Sequence, residues 1–268
     1  MSLLLLKLLL TPLLVGAATI AARRWGQVIG GWVTGLPLTS GPVSVFLAIE
    51  RGPEFAGRAA EATVLGLAGV AAFCLTYHRA MSFLSPLSAL AVSIGAFMLI
   101  TLGASVVPSG LAAAAIVSVG VLGVALAAVG APPPQVPAIP SSRWDLPLRM
   151  VVATTMVLAI TGGAAVLGPR WSGLLSPFPV FASVMTVFAH HASGRSSAHG
   201  VLRGIIVGSF AFAAFFVVLA LALGTTSLVL AYGLAVIAAL VVNGASLFVL
   251  RGDARYGGHQ PPREGELR

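Results

Sequence analysis

The sequence predicts an all-α, polytopic membrane protein of about nine transmembrane helices in two inverted-topology repeats, with helices 2 and 7 broken. Three observations carry that class. Hydrophobic residues make up 58% of the 268 residues and charged residues only 8%, where a soluble domain carries about 25% charged residues. Apolar runs long enough to cross a hydrocarbon core of roughly 30 Å recur along the whole chain. A stretch punctuated by Gly and Pro, RWGQVIGGWVTGLPLTSGPVSVFLAIERG at Arg24–Gly52, returns in altered form as RWSGLLSPFPVFASVMTVFAHHASG at Arg170–Gly194.

The runs fall at 3–22, 26–49, 59–77, 82–106, 109–129, 148–168, 171–189, 201–223 and 225–250. The first has no basic stretch before it, carries Lys7 inside it and is followed by Arg23 and Arg24. It therefore reads as a retained helix with its N-terminus outside, not as a secretory signal. The second and seventh runs contain Pro37 and Pro42, and Pro177 and Pro179. A proline lacks the N–H that the helical ladder needs, so neither run is one unbroken helix. The Pro-rich GAPPPQVPAIPSSRWDLP, Gly130 to Pro147, is the only long linker. The expected division is a first membrane repeat at 1–107, a connecting helix and linker at 108–147, a second repeat at 148–252 and a polar tail at 253–268.

Lys and Arg accumulate in the cytoplasmic loops of membrane proteins. With nine spans, Arg23, Arg24, Arg79, Arg143, Arg149, Arg195, Arg203, Arg251, Arg255, Arg263 and Arg268 share one side, against Lys7, Arg51, Arg58 and Arg170 on the other. The C-terminus is then cytoplasmic. A rival arrangement, in which 26–49 and 171–189 dip in and return, divides the charges equally well, so charge counting leaves open whether those two runs cross.

Sliding the first half by 142 residues pairs Pro37 with Pro179, Ser44 with Thr186, Phe46 with Phe188, Gly52 with Gly194, Gly66 with Gly208 and Phe73 with Phe215. The Arg-Trp pairs, Arg24–Trp25 and Arg170–Trp171, need a shift of 146, which implies four extra residues in the first copy between Gly26 and Leu36. Five spans separate corresponding positions. An odd number inverts the second copy, as in many secondary transporters.

At Gly173–Gly194, GLLSPFPVFASVMTVFAHHASG, with GVLRGIIVGSFAFAAFF following, the chain resembles the GlpM-like family of small bacterial inner-membrane proteins. The likeness covers roughly residues 165–220 and, more weakly, 20–80. Family members are about half this length, so the resemblance implies two fused units and an inner-membrane location. It implies little about substrate, the family being connected with alginate production. The first copy departs from the pattern, with GLPLTSGP where the second has LSPFPVFAS.

The broken runs supply the candidate site. Backbone groups freed by a break cannot stay bare in hydrocarbon, and a restarting helix presents a partial positive charge. The substrate-binding candidates are Pro37, Thr39, Ser40, Ser44, Ser176, Pro179, Ser183 and Thr186, with Arg24 and Arg170 as guiding residues or interfacial anchors beside Trp25 and Trp171. Glu61 and Arg203, 142 residues apart, are candidate gating or charge residues, Glu61 being expected to pair with Arg58. AHHASGRSSAH at Ala189–His199 reads as a basic loop, because its histidines lack metal-ligand spacing. The Gly-x-x-x-Gly spacings at Gly26, Gly31 and Gly204 suit close helix packing.

All the acids, Glu50, Glu54, Glu61, Asp145, Asp253, Glu264 and Glu266, lie at membrane edges, in the linker or in the tail. No pair has the spacing of a phosphotransfer or hydrolytic site, so no enzyme, metal or cofactor is expected. The net charge of +8 sits in short loops and at the C-terminus and does not indicate nucleic acid. The expected function is secondary transport of a small polar or anionic solute where helices 2 and 7 meet. Alternatives are a non-transporting accessory protein of envelope polysaccharide assembly and a passive channel. Expected partners are the bilayer, the solute, and a second copy or a membrane partner protein.

Overall fold

The structure, a computed structural model, describes residues 3–37, 40–107, 110–131, 144, 146–152, 154, 155 and 168–256. Among them the regular elements are helices: α1 (Leu3–Trp25), α2 (Gln27–Thr34), α3 (Ser40–Arg51), α4 (Pro53–Ala80), α5 (Pro86–Val106), α6 (Leu111–Val129), α7 (Gly168–Leu175), α8 (Val180–Ala222) and α9 (Leu228–Tyr256). Residues 146–152 are also helical. Most of the expected linker, sixth run and polar tail lies outside the described residues, as does Thr39.

Five helical stretches are long and apolar enough to cross a membrane: Pro53–Ala80, Pro86–Val106, Leu111–Val129, Pro169–Ala222 and Leu228–Ser246. The chain is an all-α protein of multi-pass membrane type. Burial sorts these stretches into two layers. The most apolar windows of Pro53–Ala80 and Pro169–Ala222 are 72% and 67% buried, against 22–28% for the other three. The inner pair is therefore α4 and α8, while α5, α6 and α9 turn residues such as Leu99, Ile116 and Val229 outward. That is the face a bilayer covers without cost.

The element α8 is two helices. Gly194 has φ 78° and ψ −172° inside it, a conformation open only to glycine, and the chain reverses there. The arm at 180–193 runs along α4 from its middle to its C-terminus, since Pro177 packs on Gly66 and His190 reaches Tyr77. The arm at 195–222 runs back, with the His199 ring 4.9 Å from that of His78 at one end and Leu223 beside Gly57 at the other. The stretch AHHASGRSSAH is thus a helical reversal with a one-residue turn, not a loop. Gly52 makes the same reversal between α3 and α4 (φ 88°, ψ 161°), and Gly26 makes it between α1 and α2 (φ 94°, ψ 163°).

The broken runs pack lengthwise against partner helices. On the second arm of α8, Val28 lies against Gly204, Trp32 and Gly35 against Gly208, and Gly41 against Phe215. α2 thus ascends that arm to its middle, where α3 begins beside Phe215. On α4, Gly173 lies against Ala59, Leu174 and Pro177 against Gly66, and His190 against Tyr77. The pair α7 and first arm of α8 climbs α4 in the same way.

Glycines make this closeness available. A Cβ on Gly31 would stand 2.1 Å from Val201 O, and one on Gly204 would stand 2.0 Å from Val28 O. Gly31-x-x-x-Gly35 and Gly204-x-x-x-Gly208 face each other within one chain, where side chains would hold the backbones apart.

The contacts repeat with both numbers shifted between halves by 142. Gly31 with Val201 O (2.1 Å) matches Gly173 with Ala59 O (2.2 Å), and Gly208 with Trp32 O (2.4 Å) matches Gly66 with Leu174 O (2.7 Å). The shift of 146 for the Arg-Trp pairs does not survive. Arg24 and Trp25 end α1, whereas Arg170 and Trp171 lie inside α7, and α2 and α7 begin at Gln27 and Gly168 without a four-residue insertion. Identical side chains here sit on different elements, so backbone position is the better guide.

Candidate functional site

At each break the chain makes the same turn. Leu36 N–H donates to Val33 O (3.2 Å) and Gly41 N–H to Pro37 O (2.8 Å); Phe178 N–H donates to Leu175 O (3.0 Å) and Ser183 N–H to Pro179 O (2.8 Å). Proline at 37 and 179 tolerates the turn because it needs no N–H partner there. The two turns meet: Ser40 Oγ donates to Ser176 O at 3.0 Å. The crossing lies beside Gly208 and Gly66, about halfway along both inner helices. The Phe178 ring packs edge-on to Phe97 of α5, centroids 5.1 Å apart.

Carbonyls at the second break are engaged. Gly173 O accepts from Ser176 N–H (3.0 Å) and Thr63 Oγ1 (3.1 Å), Leu175 O from Phe178 N–H, Ser176 O from Ser40, and Phe178 O from Val180 N–H (2.8 Å). The hydroxyls differ. Ser44 donates to Gly41 O (2.7 Å) and accepts from Tyr232 Oη (3.1 Å). Ser183 and Thr186, 1% and 0% exposed, have no hydrogen-bond partner among the described residues. Elsewhere helical hydroxyls donate back one turn, as Thr34 does to Gly30 O, Thr63 to Ala59 O and Ser209 to Ile205 O.

Ser183, Thr186 and His190 follow one another at three- and four-residue intervals and so share a face of α8. His190 Nδ1 and Tyr77 Oη are hydrogen-bonded at 3.2 Å, which directs that face toward α4. On another face of the same arm, Arg149 donates to Met185 Sδ (3.6 Å) and lies over the Phe188 ring at 4.8 Å, and Thr19 donates to the same sulfur (3.5 Å). The pattern gave two signals for these groups that went unread: Lys7 and Arg149 are 142 apart, and the counterpart of Tyr232 is Leu90.

The charged candidates fall elsewhere. Arg24 is exposed at the end of α1, 6.0 Å over the Trp25 ring, an interfacial arrangement rather than a place at the breaks. Arg170 donates to Ala104 O (2.8 Å) and to Val107 O, closing the C-terminus of α5. Arg203, buried, donates to Gly130 O and closes α6 in the same way. Both occupy places where cations satisfy the last carbonyls of a helix. Glu61 is half-buried on α4, and the ion pair of Arg58 is with Glu54 (3.6 Å) one turn before it, not with Glu61. Glu54 and Arg58 are exposed and in the favourable i,i+4 order. The described residues contain no group of three or more His, Cys, Asp or Glu able to hold a metal ion.

Fold and site together define a helical, membrane-type bundle with two helix breaks in contact at its middle. No protein-family model, no curated protein and no solved structure matches the chain.

Proposed function

We propose that the protein is a secondary-type transporter carrying a small polar or anionic solute past the crossing of its two broken helices, built from two inverted-topology repeats. The observation that carries the reading is the meeting of the breaks through Ser40 and Ser176, beside two buried hydroxyls without partners. Breaks of this kind persist in a membrane where they line a cavity or are buried in protein, and paired broken helices at a repeat interface are a recurrent way to build a midplane site.

The inverted relation draws support from direction. α4 and the second arm of α8, equivalent under the 142 shift, run antiparallel, and the contacts between halves are reciprocal, as a two-fold relation requires. Counting each broken pair as one crossing, and the sixth apolar run at 148–168 as another, yields nine spans. Arg79, Arg195 and Arg203 then lie toward one end of the bundle, and Arg51, Arg58 and Arg170 toward the other. Under the positive-inside rule the first end is cytoplasmic, in a bacterial inner membrane, with the N-terminus outside. Two joined GlpM-like units would generate this arrangement.

The test is flux. Purified protein in liposomes is to be offered radiolabelled or reporter-detected polyols, organic anions and inorganic anions. Saturable uptake that drops on replacing Pro179 or Ser183, but not Pro86 at the start of α5, is the expected result. Absence of uptake across the panel, with a co-purifying membrane protein, would move the assignment to an accessory role.

A further inference from the structure

The two breaks share a backbone but not a polarity, and this asymmetry identifies a ligand class. The inference rests on the reading of the breaks as a solute site and deepens it. We propose that the site is one-sided: a small monovalent anion binds on the Ser183–Thr186 face of α8, while the equivalent face of the first half is closed.

At the first break, position 41 is glycine, and Ser44 has its hydrogen donated to Gly41 O and its oxygen taken by Tyr232. That hydroxyl has no donor left to offer a solute. In the second half Gly41 becomes Ser183, Ser44 becomes Thr186 and Tyr232 becomes Leu90. The substitution of leucine for tyrosine removes the sealing hydroxyl, and the change from glycine to serine adds a donor. Two buried O–H groups one helical turn apart therefore stand without a partner.

The surrounding groups specify what those donors accept. The neighbouring carbonyls Gly173, Leu175, Ser176 and Phe178 each accept a hydrogen bond, so the unspent groups on this face are donors. A serine oxygen can also face a cation, but charge opposes that here. Ser183 lies in the first turn of a 14-residue helical arm, at the positive end of its peptide dipoles. The buried Arg149 guanidinium lies on the same arm at Met185 and Phe188. No carboxylate lies on that arm or on the opposing Phe73–Tyr77 of α4. Size follows from burial, because both hydroxyls are enclosed and the face is stopped at one end by the Tyr77–His190 hydrogen bond. With Ser183 and Thr186 only 1% and 0% exposed, the proposal is confined to the smallest anions.

The experiment is melting of the purified full chain in detergent, titrated with sodium fluoride, chloride, nitrate or formate, with ionic strength held constant by gluconate. At least one small anion should raise the melting temperature saturably, and exchanging sodium for choline should leave the curve unchanged. Ser183→Ala and Thr186→Val should each weaken binding about tenfold or more, the worth of a hydrogen bond to a charged group. Thr186→Ser, which keeps the donor, should retain affinity, as should Ser209→Ala, whose hydroxyl serves its own helix. The assignment fails if none of these anions gives a saturable shift, if sodium or glycerol proves the saturating species, or if Ser183→Ala and Thr186→Val bind as wild type does. Flux in liposomes separates the two levels of the reading. Uptake of a neutral solute without anion binding would overturn the ligand class and keep the transporter. Anion binding abolished by Thr186→Val, without uptake of anything, would keep the site and overturn transport.

Discussion

Replacing Gly31 or Gly173 by alanine probes the contact between halves directly. A Cβ at Gly31 would lie 2.1 Å from Val201 O and one at Gly173 2.2 Å from Ala59 O, both backbone atoms, where real Cβ atoms essentially never come within 3.0 Å. The deficits are 0.9 and 0.8 Å, and no rotamer change relieves them, so the helices must separate by about that much. A gap of ~0.5–1 Å forfeits a quarter to a half of each dispersion contact along the seam, and overpacking of this kind costs about 1–3 kcal/mol. Gly123 on α6 has nothing within 4 Å of its would-be Cβ. Gly123→Ala should stabilise by about 0.5–1 kcal/mol through helix propensity alone. The measurement is unfolding in mixed micelles with increasing denaturing detergent. Gly31→Ala and Gly173→Ala should fall roughly 1.5–4 kcal/mol below Gly123→Ala and should match each other, because their contacts are counterparts. Destabilisation no greater than at Gly123 would refute the close seam. A large effect at one position and none at the other would refute the equivalence.

Three further outcomes follow from single interactions. Ser118 Oγ, fully buried on α6, donates to Val64 O of α4 at 2.6 Å; Ser118→Ala should cost about 1 kcal/mol in the same unfolding assay, whereas Ser105→Ala, exposed and bonded within its own helix, should change stability by less than about 0.5 kcal/mol. Trp32 Nε1 donates to Ser246 Oγ at 2.9 Å, tying α2 to α9; Trp32→Phe and Ser246→Ala should be non-additive, with a coupling of about 0.5–1.5 kcal/mol, and additive effects would show that the bond contributes nothing. Because α3 ends beside the Leu223 end of the bundle and the first arm of α8 ends beside His78 and His199, single cysteines at Glu50 and Arg195 on a Cys74→Ala background should label from opposite faces of sealed vesicles. Labelling from one face would contradict the crossing of the broken runs.

Much of the architecture was legible because hydrocarbon is a demanding solvent. It requires about twenty apolar residues per crossing and tolerates few charges, so the runs at 59–77, 82–106, 109–129 and 225–250 anticipate α4, α5, α6 and α9, with ends up to six residues apart. Proline and glycine mark interrupted ladders, so the breaks after Thr34 and at 176–179 were also readable from residue types. The 142-residue register was carried by Pro37, Gly52 and Gly66 and their counterparts, each answering a backbone constraint that no other residue type meets as well. The Arg-Trp pairs answered no such constraint and misled.

What a chain of this composition does not encode locally is who faces whom. Charge counting left the course of the broken runs open, and only the tertiary structure brings Gly31 and Gly35 onto Gly204 and Gly208, a packing between residues some 170 positions apart. The roles of Arg170 and Arg203 as closures of α5 and α6 depend on where those helices end in space, and an arginine one turn into a helix reads the same from sequence whether it meets a solute or a carbonyl. Ser44 and Thr186 are interchangeable in the sequence; Tyr232 satisfies one, and Leu90, at its counterpart position, cannot satisfy the other. Residue type set the helices, the breaks and the lipid-facing surface, since each depends on groups a few residues apart meeting one solvent. The tertiary structure alone decided which hydroxyls remain unspent, because satisfaction of a hydrogen bond is a property of two groups that the chain must first bring together.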